Sequence, residues 1–120
     1  MSNRNLEQYF ARLLDKATLR VENFYYSLHK DDPVFVLKNR YSNMIHRCYN
    51  VHDIGYKHYG NRGITVCDEW LNSRESFISW SLDAGFKLGL DIHRLNNDGP
   101  YSPDNCIWLT PQEHNIIHYP

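Results

Sequence analysis

Two short segments, residues 90–95 and 105–109, flank a stretch so rich in turn formers that the chain is expected to double back there. The turn is Asn96-Asn97-Asp98-Gly99-Pro100, and Tyr101-Ser102-Pro103-Asp104 continues the loop. Each flanking run reads as a strand. A helix start follows directly in Thr110-Pro111-Gln112-Glu113. The Thr110 hydroxyl can cap, proline is tolerated in a first helical turn, and Glu113 stands where a capping-box carboxylate belongs. Strand, loop, strand and short helix make a ββα unit over residues 90–119.

That unit carries His93, His114 and His118. Four residues separate the last two, so on a helix they stack on one face about a turn apart and can converge on one ion. His93 comes from the first strand, which a hairpin brings beside the helix. Three imidazoles with one open position form a catalytic type of metal site, because water or a phosphate oxygen can take the vacancy. Imidazole favours zinc, nickel and similar ions over magnesium. A histidine pair at this spacing is a weak signal by itself. Its place behind a capping box and a hairpin, with a third histidine on the strand, makes it much stronger.

Ahead of the unit, residues 3–29 read as one long amphipathic helix. Leu6, Phe10, Leu13, Ala17, Val21, Phe24 and Leu28 recur at three- and four-residue steps. Asp31-Asp32-Pro33 breaks it, since proline lacks the amide a continuing helix needs. The stripe is expected to pack on the rest of the chain, or to serve self-association or a host-protein contact. A second helix is expected over residues 34–49, with Leu37, Tyr41, Met44, Ile45 and Cys48 on its apolar side. Residues 50–63 read as a loop turned by Gly55, Gly60 and Gly63, and residues 64–66 as a short strand. A third helix is expected from Asn72, boxed by Glu75, with Phe77, Ile78, Ser81 and Leu82 inward and Gly85 ending it. The fold class is α+β: a long N-terminal helix over residues 1–32, then a domain over 33–120 with the ββα core at its C-terminal end.

Charge is distributed unevenly. Residues 38–62 carry Lys38, Arg40, Arg47, Lys57 and Arg62 against Asp53 alone, whereas residues 64–120 are acidic, although the whole chain has a net charge of only −1. A basic middle suits phosphate, and an acidic, histidine-rich end suits a cation. Lys57 and Arg62 are expected to bond phosphates and Tyr59 to stack on a base. Cys48, Cys67 and Cys106 form no Cys-x-x-Cys pair. No apolar run approaches the ~20 residues of a membrane span. These features lead to the expectation of a reduced, cytoplasmic protein without disulfides.

The order and wording of three segments resemble phage-type HNH endonucleases. They are Tyr41-Ser42-Asn43-Met44-Ile45-His46-Arg47-Cys48-Tyr49-Asn50, then the run from Tyr56-Lys57-His58-Tyr59-Gly60 to Cys67-Asp68-Glu69-Trp70, then the run from Arg94-Leu95-Asn96-Asn97-Asp98 to Asn105-Cys106-Ile107-Trp108. The resemblance implies a metal-dependent DNA endonuclease working in the host cytoplasm with one divalent ion: Zn, Ni, Mn or Mg. It implies that Asn105 is the central asparagine that tethers the hairpin, and that His93, His114 and His118 are the metal ligands. Arg40, Arg47, Lys57 and Arg62 would be the DNA-contacting cations. Arg94 falls where the family's general-base histidine usually stands. A guanidinium stays protonated near neutral pH, so Arg94 is expected to stabilise the transition state through charge instead. A one-residue slip would instead make His93 the base and bring Asp91 into the metal shell. A degenerate site, used to bind DNA or to inhibit a host protein, is the alternative function.

Overall fold

The computed structural model describes the backbone of residues 3–118 and the side chains of residues 16–116. The chain divides into two compact units, Met1–Asp32 and Pro33–Pro120. The first unit is the helix α1, Asn3–His29. One helix has nothing inside its own unit against which to bury a stripe, and Val21, Phe24 and Leu28 are exposed.

The second unit begins with α2, Pro33–Tyr49, whose opening proline supplies a preset φ at a position that needs no amide. Leu37, Met44 and Cys48 line its buried face at helical spacing. The segment expected as a loop is wound into two tight 3-10 turns, Tyr56–His58 and Gly60–Arg62. Gly60 permits this. A Cβ there would lie 2.2 Å from the Cys48 carbonyl oxygen and 2.3 Å from the Tyr56 ring. Residues 64–66 make no strand. Val66 instead forms a single parallel bridge to Tyr101, with the Cys67 amide donating to the Tyr101 carbonyl and the Tyr101 amide to the Thr65 carbonyl, both at 2.9 Å.

The third expected helix is α4 (Arg74–Asp83), and a short helix that was not expected, α3 (Asp68–Asn72), precedes it. Asn72 closes α3, and the cap of α4 is Ser73, whose Oγ accepts from the Ser76 amide at 3.2 Å. Five residues show too little periodicity to announce α3 in advance. Phe77, Ile78 and Ser81 are buried as expected, whereas Leu82 is exposed. Ser81 takes the inner position because its hydroxyl donates back to the Phe77 carbonyl at 2.8 Å and leaves no polar group unpaired. Gly85 follows with a positive φ of 90°.

Strands β1 (Asp91–Arg94) and β2 (Cys106–Leu109) form a two-stranded antiparallel sheet in which His93 stands opposite Ile107 and Arg94 opposite Cys106. Helix α5, Pro111–His118, packs back against both strands. The architecture is therefore α+β, with the hairpin and its following helix at the C-terminal end. Trp70 and Phe77 are fully buried and meet edge to face at 5.1 Å, and Phe86 meets Trp108 at 4.7 Å. Burying each such ring stabilises the unit by roughly 1.5–3 kcal/mol, which makes this cluster the base on which the hairpin rests. No helix among the described residues is long and apolar enough to cross a membrane.

Candidate metal and nucleic-acid site

The hairpin turn is held from within by Asn105. Its Nδ2 donates to the carbonyls of Asn96 at 3.1 Å and Pro100 at 2.8 Å, and its Oδ1 accepts from the Asn96 amide at 2.8 Å. Two carbonyl partners and one amide partner fix which way the side-chain amide points. Gly99 makes room for it, since a Cβ there would fall 2.8 Å from Asn105 Nδ2. The tethering role expected of Asn105 thus has a concrete geometry.

Arg94 adds a second fastening. Its Nη1 donates to the carbonyls of Asn97 at 2.6 Å and Gly99 at 2.9 Å, and its Nη2 reaches the Asn97 side-chain oxygen at 3.3 Å. The side chain is buried, with only 8% of its surface exposed. Its guanidinium carbon lies 5.2 Å from the centre of the Tyr59 ring and 5.1 Å from that of Tyr101. Such contacts favour a cation over an aromatic face. The expectation of a charge aimed at substrate therefore meets a different geometry. Arg94 spends these donors on the turn, because the carbonyls of a reversing chain need partners that the two short strands do not provide.

Arg62 is likewise engaged. It donates to Asp98 at 2.6 Å and to the carbonyls of His58 and Asn97, so it ties the 3-10 turns to the hairpin instead of standing free for phosphate. Arg40 pairs with Asp91 at 3.2 Å. That pairing occupies the carboxylate which the slipped reading would send to a metal. Lys57 is exposed on the first 3-10 turn. Tyr59 does not await a base, since its ring lies over Tyr101 at 6.1 Å and beside two guanidiniums. Tyr101 itself escaped the sequence reading. The signal that could have found it is an aromatic placed directly after a turn rich in exposed carbonyls.

His93 from β1 and His114 from the first turn of α5 come together, with ring centroids 5.1 Å apart and planes at 68°. Helix α5 starts as its sequence requires. Thr110 Oγ1 accepts from the Glu113 amide at 3.1 Å and donates to the Glu113 carboxylate at 3.0 Å. Two imidazoles sharing a tetrahedral ion at about 2.0–2.1 Å each have centroids on the order of 5 Å apart, which is the separation of His93 and His114. The helix backbone runs through His118, but the side chain of His118 lies outside the described residues. Among the described side chains no group of three His, Cys, Asp or Glu residues gathers as a metal shell.

Two adjoining cavities open beside the imidazoles and share Tyr59, Ile92, Tyr101 and His114 as walls. One continues to His93, Arg94 and Asn97, the other to Arg40, Asn43, Arg47 and Asp91. Behind the walls, burial pushes the thiols of Cys48 and Cys106 up to about 11, so both stay protonated at neutral pH. No protein-family model matches the chain, and no curated protein or solved structure matches it.

Proposed function

We propose that the protein is a metal-dependent HNH-type endonuclease that hydrolyses phosphodiester bonds of DNA, with the ββα arrangement of β1, β2 and α5 as its core. The observation that carries this reading is the His93–His114 pair, set at a separation suited to one ion and opening on a cation-rich cleft. His93, His114 and His118 would hold a divalent ion: Zn, Ni, Mn or Mg. When bound, that ion supplies Lewis-acid stabilisation of the phosphate and lowers the pKa of a water. Asn105 keeps the hairpin closed, so that His93 stays opposite α5. Arg94 is a positioning residue on this reading: it fixes the turn and adds a buried positive charge to the cleft wall. Arg47 and Lys57 offer charge to the backbone, while Arg40 and Arg62 shape the cleft through Asp91 and Asp98.

A second reading has its own support. Arg94 stands where a proton acceptor would serve hydrolysis, and its donors are committed to the turn. A protein that binds DNA or a host protein on the same scaffold, without cleaving, would fit that commitment. Plasmid nicking with Mg, Mn, Zn or Ni separates the two. The nuclease reading expects nicking by the wild type and loss of at least ~10²-fold in His114→Ala, the scale on which removing catalytic machinery is felt. Equal inactivity of both proteins with every ion would overturn it.

A further inference from the structure

We propose that Arg47 heads a phosphate-binding subsite on the α2 wall of the cleft, in the cavity that His114 also lines. Among the four cations expected to meet nucleic acid, Arg47 is differently placed. Arg40 and Arg62 have carboxylate partners, and Lys57 stands on an outer turn. Arg47 lines the cavity and, among the described residues, has no hydrogen-bonded or ion-paired partner. Its Nε is buried with nothing to accept its proton. The Trp70 and Trp108 indoles share that condition inside the core, whereas Arg47 also lines an open cavity, where an absent ligand is one ordinary reason for an unanswered donor.

The side chain is nevertheless held in position. Its guanidinium carbon lies 5.0 Å from the Tyr59 ring centre and 5.9 Å from that of Tyr101. Gly55 leaves room for its stem, for a Cβ there would come within 3.2 Å of Arg47 Cγ. Arg94 occupies the same tyrosine pair and gives its protons only to neutral oxygens. Among the described residues three guanidiniums line the cleft, and Arg40 is paired with Asp91, the acidic residue of that lining, which leaves the charges of Arg47 and Arg94 without a carboxylate.

The cavity in front of Arg47 measures about 210 Å³, roughly seven water volumes, which admits a tetrahedral oxyanion with part of its hydration. A planar fork of donors matches two phosphate oxygens, and Asn43 on the same wall adds a neutral amide. The ligand class is a phosphate mono- or diester. That it belongs to a nucleic-acid backbone rests on the nuclease reading above; the oxyanion site itself does not. On that reading the subsite grips the backbone beside the ion and sets how the strand crosses the cleft.

The test titrates full-length, EDTA-treated protein with inorganic phosphate, and separately with acetate, following the arginine Nε–H resonances by NMR. Phosphate is expected to shift the Arg47 Nε–H signal, with acetate binding at least ~10-fold more weakly. Arg47→Lys is expected to weaken phosphate binding ~10-fold and Arg47→Ala ~10- to 100-fold, the range for losing a charge-assisted contact. Lys87→Ala serves as the unchanged control, and thermal melts establish that each variant is folded. The proposal is overturned if Arg47→Ala binds phosphate like wild type, or if acetate binds equally well. Phosphate bound through Arg47 in a protein that never nicks would sink the nuclease reading and leave the subsite standing.

Discussion

The two walls of the cleft present the same chemistry in opposite conditions. On the hairpin wall Arg94 lies against Tyr59 and Tyr101 with its protons given to the carbonyls of Asn97 and Gly99. On the α2 wall Arg47 lies against the same two rings with a buried donor unanswered. One guanidinium completes a turn, and the other completes nothing among the described residues. A buried cation whose donors are answered belongs to the scaffold, whereas one left unanswered raises the energy of the empty state and lowers the cost of binding an anion.

The sharpest way to break this contrast is to remove each charge while keeping the stem. Arg94→Met leaves the buried Gly99 carbonyl without its side-chain donor and Asn97 with only Arg62, and should cost about 2–3 kcal/mol, a fall in Tm on the order of 10–20 °C for a unit of this size. Arg47→Met removes an unsatisfied donor and should change stability by less than about 0.5 kcal/mol in either direction. Equal losses in parallel melts would end the distinction between the walls.

Asn105→Ala should come next, at about 1–2 kcal/mol by urea unfolding, because solvent can reach the groups it deserts. His93 should also lose its fixed place opposite α5, visible as broadening of its ring signals. A variant as stable as wild type would show that Arg94 alone closes the turn.

Each wall also hides a thiol, Cys48 on α2 and Cys106 on β2, both raised from 9.0 to about 11, first by burial. A raised pKa keeps the proton in the folded state after the unfolded chain has lost it. The stability linked to these thiols is therefore complete below about pH 9 and declines as pH rises through about 11. Cys48→Ala should flatten half of that decline, and a pH profile unchanged in the double alanine variant would rule this source out.

The smallest effect is expected at Lys57, which is exposed. Lys57→Ala should leave stability within ~0.5 kcal/mol and reduce the salt slope of DNA binding by about 1 if the lysine meets a phosphate. An unchanged slope would narrow the DNA-facing charge to the α2 wall.

What the sequence made legible follows from how local the chemistry is. Thr110 and Glu113 mark the start of α5 because they bond to each other three residues apart. Asn105 closes the hairpin within a stretch short enough for its turn residues to announce. The start of α4 was expected one residue early, since Asn72 and Ser73 are both good caps and only the backbone decides between them, and α3 was not expected at all. The partners of Arg62, Arg94 and Arg40 were a different kind of problem. Charge along the chain says that cations are present, but whether a carbonyl or a carboxylate reaches them first is settled by tertiary approach. The amphipathic stripe of α1 named a helix but not what covers it.

The bridge between Val66 and Tyr101 carries a consequence for how the second unit opens. It joins the chain ahead of α3 to the chain behind the hairpin turn, through the amides of Cys67 and Tyr101. Those two hydrogens cannot meet solvent by fraying of either end or by local melting of a helix. They should exchange together, at the slowest rate in residues 33–120, and so report the free energy of opening the whole unit. Because the contact spans a long stretch of chain, its loop-closure cost also places it late in folding, after the helices have formed.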